Sequence, residues 1–409
     1  MHTPIRKIKN AIHLINAFFA CVRYGFPSRK LTVIGVTGTD GKTTTSHLLY
    51  HVLKEAGTKV SVSTTIFADI GGETLDTGLH VTTQGPWHIQ ANISRAVKQG
   101  CTHFILETTS HGIDQHRIWG VKYDVAVLTN ITPEHLDYHK TFKAYLRTKV
   151  RLLQMAGKAC VNLDADCFEE VQTILEKSSH PLKTYSILSK KADYHWDPKI
   201  ISTMHEDFNK QNIMACYAVC RELGLPAQDI RAGIRTFRLP KGRFDVVHNK
   251  SFRVIIDFAH TPNSIRQLLK TCEGTAGKVI HIFGSAGLRD AQKRPDMGRA
   301  SGEHAELVIV TEEDYRTEDF MKIAQSISQG LYEKGFAFVE PHQLGEVKKG
   351  EKQFTIIKNR EKAIETGISL ARKGDTVLVT GKGHEQSLAR GAKEFPWDDY
   401  KAVASALKA

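Results

Sequence analysis

A phosphate-binding loop stands near the start of the chain. Gly38-Thr39-Asp40-Gly41-Lys42-Thr43-Thr44-Thr45 follows the apolar run Leu31 to Val36 and precedes a helical stretch from Ser46 to Ala56. Glycines let backbone N–H groups wrap a phosphate, and the new helix offers its positive end. Lys42 can neutralise β and γ oxygens and Thr43 can ligate Mg²⁺, so the loop reads as an ATP site. Strict Walker spacing wants glycine where Val36 stands; the match is to a variant GxxGK[ST]T loop.

Two further polar clusters end apolar runs: Glu107-Thr108-Thr109-Ser110-His111, and Thr129 to His139. In doubly wound sheets ligands collect at the carboxyl ends of strands, so both are expected beside the phosphate loop. Their oxygen donors suit Mg²⁺. His135 and His139, four apart, have a zinc-like helical spacing, but no third ligand or HExxH glutamate follows.

The elements that must hold these residues alternate between strand and helix. Leu31 to Val36, Phe104 to Leu106, Val125 to Leu128 and Ala159 to Leu163 read as buried strands. A second set follows at Val254 to Phe258, Val279 to Phe283, Leu307 to Val310 and Thr376 to Val379. Such alternation means parallel sheets covered on both faces: an α/β chain with a doubly wound ATPase domain over 31–240 and a smaller Rossmann-like domain over 241–409. The break falls at Leu239-Pro240-Lys241-Gly242, after helical stretches at Asn209 to Leu223 and Ala227 to Thr236. Residues 1–30 form a separate segment. In it Ile8, Ile12, Ile15, Phe18, Phe19 and Val22 recur at helical spacing and predict one short amphipathic helix, packed on the following domain in preference to a membrane surface or a partner protein.

Composition bounds the rest. The chain has 409 residues, 41% hydrophobic and 24% charged, enough for two or three cored domains. No run of about 18 apolar residues occurs and no signal-peptide cleavage site follows the start, so the expected location is the cytoplasm. Seven scattered cysteines lack CxxC pairing and read as reduced, structural thiols. The net charge of +12 raises nucleic acid as a partner, but six positive charges (Arg6, Lys7, Lys9, Arg23, Arg29, Lys30) precede Asp40, the first acidic residue, and the others are spread thinly. A nucleic-acid-binding ATPase would need a basic stripe, which the second half lacks, so small-molecule substrates are expected.

Eight motifs in order resemble the Mur ligases. They are GTDGKTTT (38–45), LETTSHGIDQHR (106–117), TNITPEHLDYHKTFKAYLRTK (129–149), DFNKQN (207–212), KGRFD (241–245), DFAHTP (257–262), FGSAGLRDAQKRP (283–295) and GKGHE (381–385). The pattern is most similar to the tripeptide-synthetase (MurE-type) branch. The resemblance implies ligation through an acyl phosphate, with ATP and two Mg²⁺ ions, in peptidoglycan precursor synthesis.

By that resemblance Gly38, Thr39, Asp40, Gly41, Lys42, Thr43 and Thr44 hold the phosphates. Asn209 and Asn212 lie at the adenine, and Arg243, Asp257 and His260 on the ribose and phosphate side. Thr43, Glu107, His135 and a carbamylated Lys149 are the implied metal ligands, and Lys42, Glu107, His135 and Lys149 the implied catalytic set. An ammonium beside Mg²⁺ would be repelled, whereas a carbamate supplies an anionic oxygen. Taken alone, Lys149 reads as a solvated side chain, and the Asn and Asp residues as caps and turns. Thr82, Thr83, Ser110 and Arg117 are the implied acceptor contacts. For the amino acid, Arg289 and Arg316 would grip a distal carboxylate, with Asp314 beside them and Gly381 and Glu385 receiving the ammonium group.

Two departures matter. Diaminopimelate-adding relatives carry Asp-Asn-Pro-Arg where this chain reads Glu313-Asp314-Tyr315-Arg316; diaminopimelate is favoured over lysine, with another diamino acid open. Only 37 residues precede Gly38, where the branch it resembles places a UDP-binding domain of about 100 residues before the phosphate loop. The expected acceptor is a UDP-N-acetylmuramoyl dipeptide, with a polyglutamyl, lipid-linked or other carboxylate as the alternative. A non-catalytic ATP-binding subunit would predict damage at Lys42, Glu107, His135 or Lys149, and all four are intact.

Overall fold

The computed structural model describes residues 3–75, 82–345 and 347–408. Residues 1 and 2 of the N-terminal segment, 76–81 of the expected central domain, and 346 and 409 of the second lie outside the described residues. The chain divides into two compact units, Met1–Pro133 with Thr141–Arg238, and Glu134–Lys140 with Leu239–Ala409.

The first unit is built on a nine-stranded sheet. Its strands are β1 (Thr32–Thr37), β2 (Val60–Ser63), β3 (Ala68–Ile70), β4 (Glu73–Leu75), β5 (His103–Glu107), β6 (Tyr123–Leu128), β7 (Ala156–Asn162), β8 (Leu182–Ser186) and β9 (Tyr194–His195). They lie in the order β4-β3-β2-β5-β1-β6-β7-β8-β9, parallel from β2 to β9, with an antiparallel β3–β4 edge. The strand β1 pairs with β5 on one side and β6 on the other. The chain order reverses there, and a crevice opens at the carboxyl ends of these three strands. Helices cover both faces, so the middles of β1, β5 and β6 are apolar, with Val33, Phe104, Leu106, Ala126 and Leu128 in one buried cluster.

The second unit carries a seven-stranded sheet: β10 (Asp245–Asn249), β11 (Arg253–Asp257), β12 (Val279–Phe283), β13 (Leu307–Val310), β14 (Ala337–Phe338), β15 (Gln353–Ile356) and β16 (Thr376–Thr380). Its order is β10-β11-β16-β12-β13-β15-β14, parallel except for β10. A separate hairpin joins β17 (Ser387–Arg390) to β18 (Lys393–Pro396). Its core splits into two clusters, one on each face of the sheet.

Three sequence expectations need correction. The helix after the phosphate loop runs Lys42–Glu55, not from Ser46, because Gly41 (φ 79°) turns the chain straight into its first turn. The N-terminal helix is long, Thr3–Tyr24, and its packed side is not the apolar stripe. Ala17, Ala20 and Cys21 face the domain, while Ile8, Ile12, Ile15, Phe18, Phe19 and Val22 are all exposed. Small residues win the inner face because the backbone comes close: a Cβ on Gly120 would lie 2.4 Å from Cys21 Sγ. The short strands β2–β4, β8–β10, β14, β15, β17 and β18 have too few apolar residues to stand out from loops.

A fully buried ion pair ties the last helix, Asp399–Ala406, to the second sheet. Arg360 donates to both Asp399 oxygens (2.8 and 2.9 Å) and to the Thr380 carbonyl (2.8 Å), and Trp397 Nε1 also donates to Asp399 (2.8 Å). Removing one partner strands the other charge in the core. We expect Asp399→Ala to destabilise this unit by about 3–5 kcal/mol in urea unfolding, and Arg360→Met with Asp399→Leu to recover most of that loss. An Asp399→Ala protein as stable as the parent would refute the assignment.

Candidate active site

The phosphate loop is held by its neighbours as tightly as backbone allows. Gly38 has φ 155°, and a Cβ there would sit 1.8 Å from Thr129 Oγ1; on Gly41 it would sit 2.2 Å from Asn212 Oδ1. Only glycine fits either place. Thr129, just past β6, donates to the Asp40 carbonyl (2.6 Å), and Asn130 accepts from the Thr39 and Asp40 amides (both 2.9 Å). Thr39 Oγ1 meets the Tyr145 hydroxyl at 3.0 Å. These bonds aim the loop before any nucleotide arrives.

The charged residues converge on that loop. Lys42 Nζ donates to the Thr39 carbonyl (2.7 Å), and Lys149 Nζ donates to the neighbouring Gly38 carbonyl (2.5 Å). Glu107, at the end of β5, accepts from the Thr43 hydroxyl (3.0 Å), the Thr65 hydroxyl (2.9 Å) and the Thr65 amide (3.1 Å). Lys149 and Glu107 are buried, at 2% and 1% exposure, so the solvated-lysine reading falls. Its helix, Phe142–Met155, is capped by Thr141, whose side chain accepts from the Ala144 amide and fixes the start of the turn that carries Lys149. Hard oxygen donors from Thr43 and Glu107 beside a triphosphate cradle fit Mg²⁺.

Asn212, on the helix Asp207–Glu222, takes a hydrogen bond from Thr45 (3.3 Å), and Asn209 donates to Glu206 (2.8 Å); both are buried. The Thr82 hydroxyl lies 3.0 Å from that of Thr65, in hydrogen-bond contact with it. Thr83 accepts from the Thr109 amide (2.9 Å), and its carbonyl accepts from Arg117 (2.6 Å). Ser110 begins the short helix Ser110–Asp114, whose cap is Thr109. Thr65 and Tyr145 have no role assigned from sequence, and Thr129 and Asn130 stand there only as members of a polar cluster. Thr129, Asn130 and Tyr145 lie inside the 129–149 motif, but only the folded loop reveals their bonds to it.

In the second unit His135 opens a single turn, Leu136–His139, in the left-handed region (φ 55°), so the i, i+4 pair with His139 does not share a helical face and the zinc spacing is lost. Asp290 accepts from the Leu136 amide (2.9 Å) and pins that turn. Beside it sits a cluster that sequence did not single out. Buried Glu134 lies 3.3 Å from Lys293, 3.5 Å from His260 and 3.9 Å from His135. Burial alone would raise its carboxyl, but His135, Lys293 and His260 hold it well below the ordinary range. Burial would likewise lower His260, yet Glu134 raises it above the usual imidazole value. Both residues stand within quoted motifs, as the Glu of PEHLDYH and the Lys of AQKRP.

Asp257 accepts from the Phe244 and Ala259 amides (both 2.6 Å), and Arg243 lies 4.7 Å over the Phe258 ring. Both fasten the KGRFD and DFAHTP loops together. A Cβ on Gly242 would meet the His384 amide at 2.4 Å, so the GKGHE loop joins them. In the expected amino-acid pocket, Asp314 is taken by Lys382 (2.8 Å), which also pairs with Glu385 (2.5 Å). Arg316 donates to the Gly287 (2.9 Å) and Asp314 (3.3 Å) carbonyls, Gly381 lies against Glu313, and Arg289 is exposed. Lys382, buried between two carboxylates, was missed because a lysine between glycines carries no sequence signal of burial.

His260 protonation rests on Glu134. The contribution of that pairing to stability is complete below the unfolded imidazole value and lost as pH rises through the folded one. Glu134→Gln should therefore lower the His260 pKa, read from ring-proton chemical shifts in an NMR titration. An unchanged or higher value would show that other groups set it.

Residues 36–220 match the Mur ligase middle domain, and residues 242–383 match the Mur ligase glutamate ligase domain. A UDP-N-acetylmuramoyl-L-alanyl-D-glutamate–2,6-diaminopimelate ligase of Aquifex aeolicus is 31% identical over 404 residues, spanning 94% of this chain and 79% of that protein. A UDP-N-acetylmuramyl-tripeptide synthetase of Borreliella afzelii is 36% identical over 418 residues, spanning 95% and 79%. A solved structure of a UDP-N-acetylmuramoyl-L-alanyl-D-glutamate–2,6-diaminopimelate ligase is similar with a TM-score of 0.58 at 28% identity, covering 92% of this chain and 78% of that one. Both family domains in order, on a fold with a threonine- and lysine-lined phosphate loop, mean that the chain belongs to the Mur ligases, ATP-dependent enzymes that form carbon–nitrogen bonds.

Proposed function

We propose that the chain adds diaminopimelate to UDP-N-acetylmuramoyl-L-alanyl-D-glutamate in the cytoplasm, as the relatives named for that reaction do. One observation supports the phosphoryl half: Lys42 and Lys149 are held on two adjacent loop carbonyls, and Thr43, next to Lys42, bonds Glu107. The seven unbridged, buried cysteines fit a reducing compartment.

In this reading a carboxylate oxygen of the acceptor attacks the γ-phosphorus of ATP, and ADP leaves with the bridging electron pair. The amino group of diaminopimelate then attacks the acyl carbon, gives up a proton, and phosphate departs as the amide forms. Phosphoryl transfer asks the protein for position and charge neutralisation. Lys42 would turn from the Thr39 carbonyl to the phosphate oxygens, and the loop amides would hold them. Thr43, Glu107, His135 and Lys149 as a carbamate would be the protein ligands of Mg²⁺, which when bound draws charge off the phosphates. The carbamate forms when CO₂ adds to the neutral amine, with loss of one proton. Asn209, Asn212, Arg243, Asp257 and His260 would serve the nucleotide, and Thr82, Thr83, Ser110 and Arg117 the acceptor. Arg289, Asp314, Arg316, Gly381 and Glu385 would serve the amino acid. Arg316 is favoured for the distal carboxylate because its guanidinium has a planar pair of donors.

Phosphate release over a matrix of acceptors (UDP-muramoyl dipeptide, folate, glutamate peptides) and amino acids tests the reading. Release should require ATP, the dipeptide and diaminopimelate together; turnover with folate or glutamate peptides instead would overturn it. Lys149→Ala should abolish turnover with folding intact, and a short-chain carboxylate should restore part of it; full activity in the plain variant would refute the carbamate. Arg316→Ala should raise KM for diaminopimelate about tenfold or more, for a lost clamp of roughly 1.5–3 kcal/mol, and leave KM for ATP unchanged. Equal KM values for diaminopimelate would make it a loop fastener only.

A further inference from the structure

We infer that the outward face of the N-terminal helix is a docking face for an anionic lipid surface. At about 100° per residue, Ile8, Ile12, Ile15, Phe18, Phe19 and Val22 occupy roughly a third of the helix circumference. All six are exposed, between 47% and 62%. The helix has no freedom to roll this stripe inward. Its opposite side is fastened by Arg6 to Asp114 (2.8 Å), Asn10 to the Asp114 carbonyl (3.0 Å) and Cys21 to the Trp119 carbonyl (3.2 Å), over the buried Ala17 and Ala20.

Charge selects the occupant. Lys9 and Arg23, with Asn16 between them at spacings of seven, are exposed along one border of the stripe, and exposed Arg29 and Lys30 follow the helix. No acidic residue precedes Asp40 in the sequence. A basic-edged apolar helix of this kind lies in the headgroup layer, its side chains in the acyl boundary and its cations against anionic lipid. Trp87, 43% exposed, stands 6.5 Å from Tyr24 at the end of the helix, an amphipathic ring of the sort enriched at that depth. No helix among the described residues is long and apolar enough to cross a membrane, so the contact is peripheral. A second copy is the poorer occupant: a two-fold pairing of this face sets the same cations of both chains against each other.

The test is flotation of the full chain with vesicles of neutral phosphatidylcholine and with vesicles carrying about a third phosphatidylglycerol. Binding to the anionic vesicles should exceed binding to neutral ones by about tenfold and weaken as salt rises. Ile12→Glu with Phe19→Glu should lower it by about tenfold or more, and Lys9→Glu with Arg23→Glu should remove the preference for anionic lipid. Both variants change exposed side chains and should keep the parent's ATP-dependent phosphate release and helix content. Equal binding to the two vesicle types, or binding untouched by either variant, overturns the proposal. So does a dimer seen in light scattering that the Ile12→Glu, Phe19→Glu variant dissolves, which would assign the face to a second copy.

Discussion

The approach of backbone to side chain at Gly38 governs the first unit. With no Cβ there, Thr129 reaches the loop and donates to the Asp40 carbonyl, and the ends of β1 and β6 close on each other. The Gly38 carbonyl is thereby left to accept from Lys149, and the Thr39 carbonyl from Lys42. Both amines are thus held on backbone carbonyls of the loop. That arrangement is preorganised electrostatics: the donors are oriented by the fold before charge develops.

Glu107 plays the opposite part. Three donors from Thr43 and Thr65 satisfy its buried carboxylate at the end of β5. The second unit repeats the tactic with different residues. Glu134 is kept ionised by Lys293 and two histidines, while Lys382 pairs with Asp314 and Arg360 with Asp399. Each of these three carboxylates has a cation against it, and the pairings with Lys293, Lys382 and Arg360 join segments far apart in sequence. The pairs fasten the PEHLDYH turn, the GKGHE loop and the last helix, so that polar loops keep one conformation at the carboxyl ends of the strands.

The helix Thr3–Tyr24 stands apart from that scheme. Its inner side is made of small residues and two polar anchors, and the six residues of its apolar stripe are exposed. Amphipathic periodicity alone assigns the bulky stripe to the core, since burial of large side chains is ordinarily the more favourable outcome. Here the short distance between helix and domain admits Ala and Cys and excludes Phe and Ile.

What was legible in sequence is what depends on local pattern. Parallel strands buried on both faces show as continuous apolar runs, which located β1, β5, β6, β11, β12, β13 and β16 to within a residue or two. The order of glycine, lysine and threonine after β1 marked the phosphate loop, because the needed backbone conformation restricts residue type. Short edge strands escaped, having no run long enough to read. Burial of Lys149 and Lys382, the cluster around Glu134, and the left-handed turn at His135 were decided by tertiary structure, for a common reason. A charged side chain's environment is set by residues remote in sequence, such as Gly38, Asp314 and Lys293, and no local period encodes which of them will come within reach.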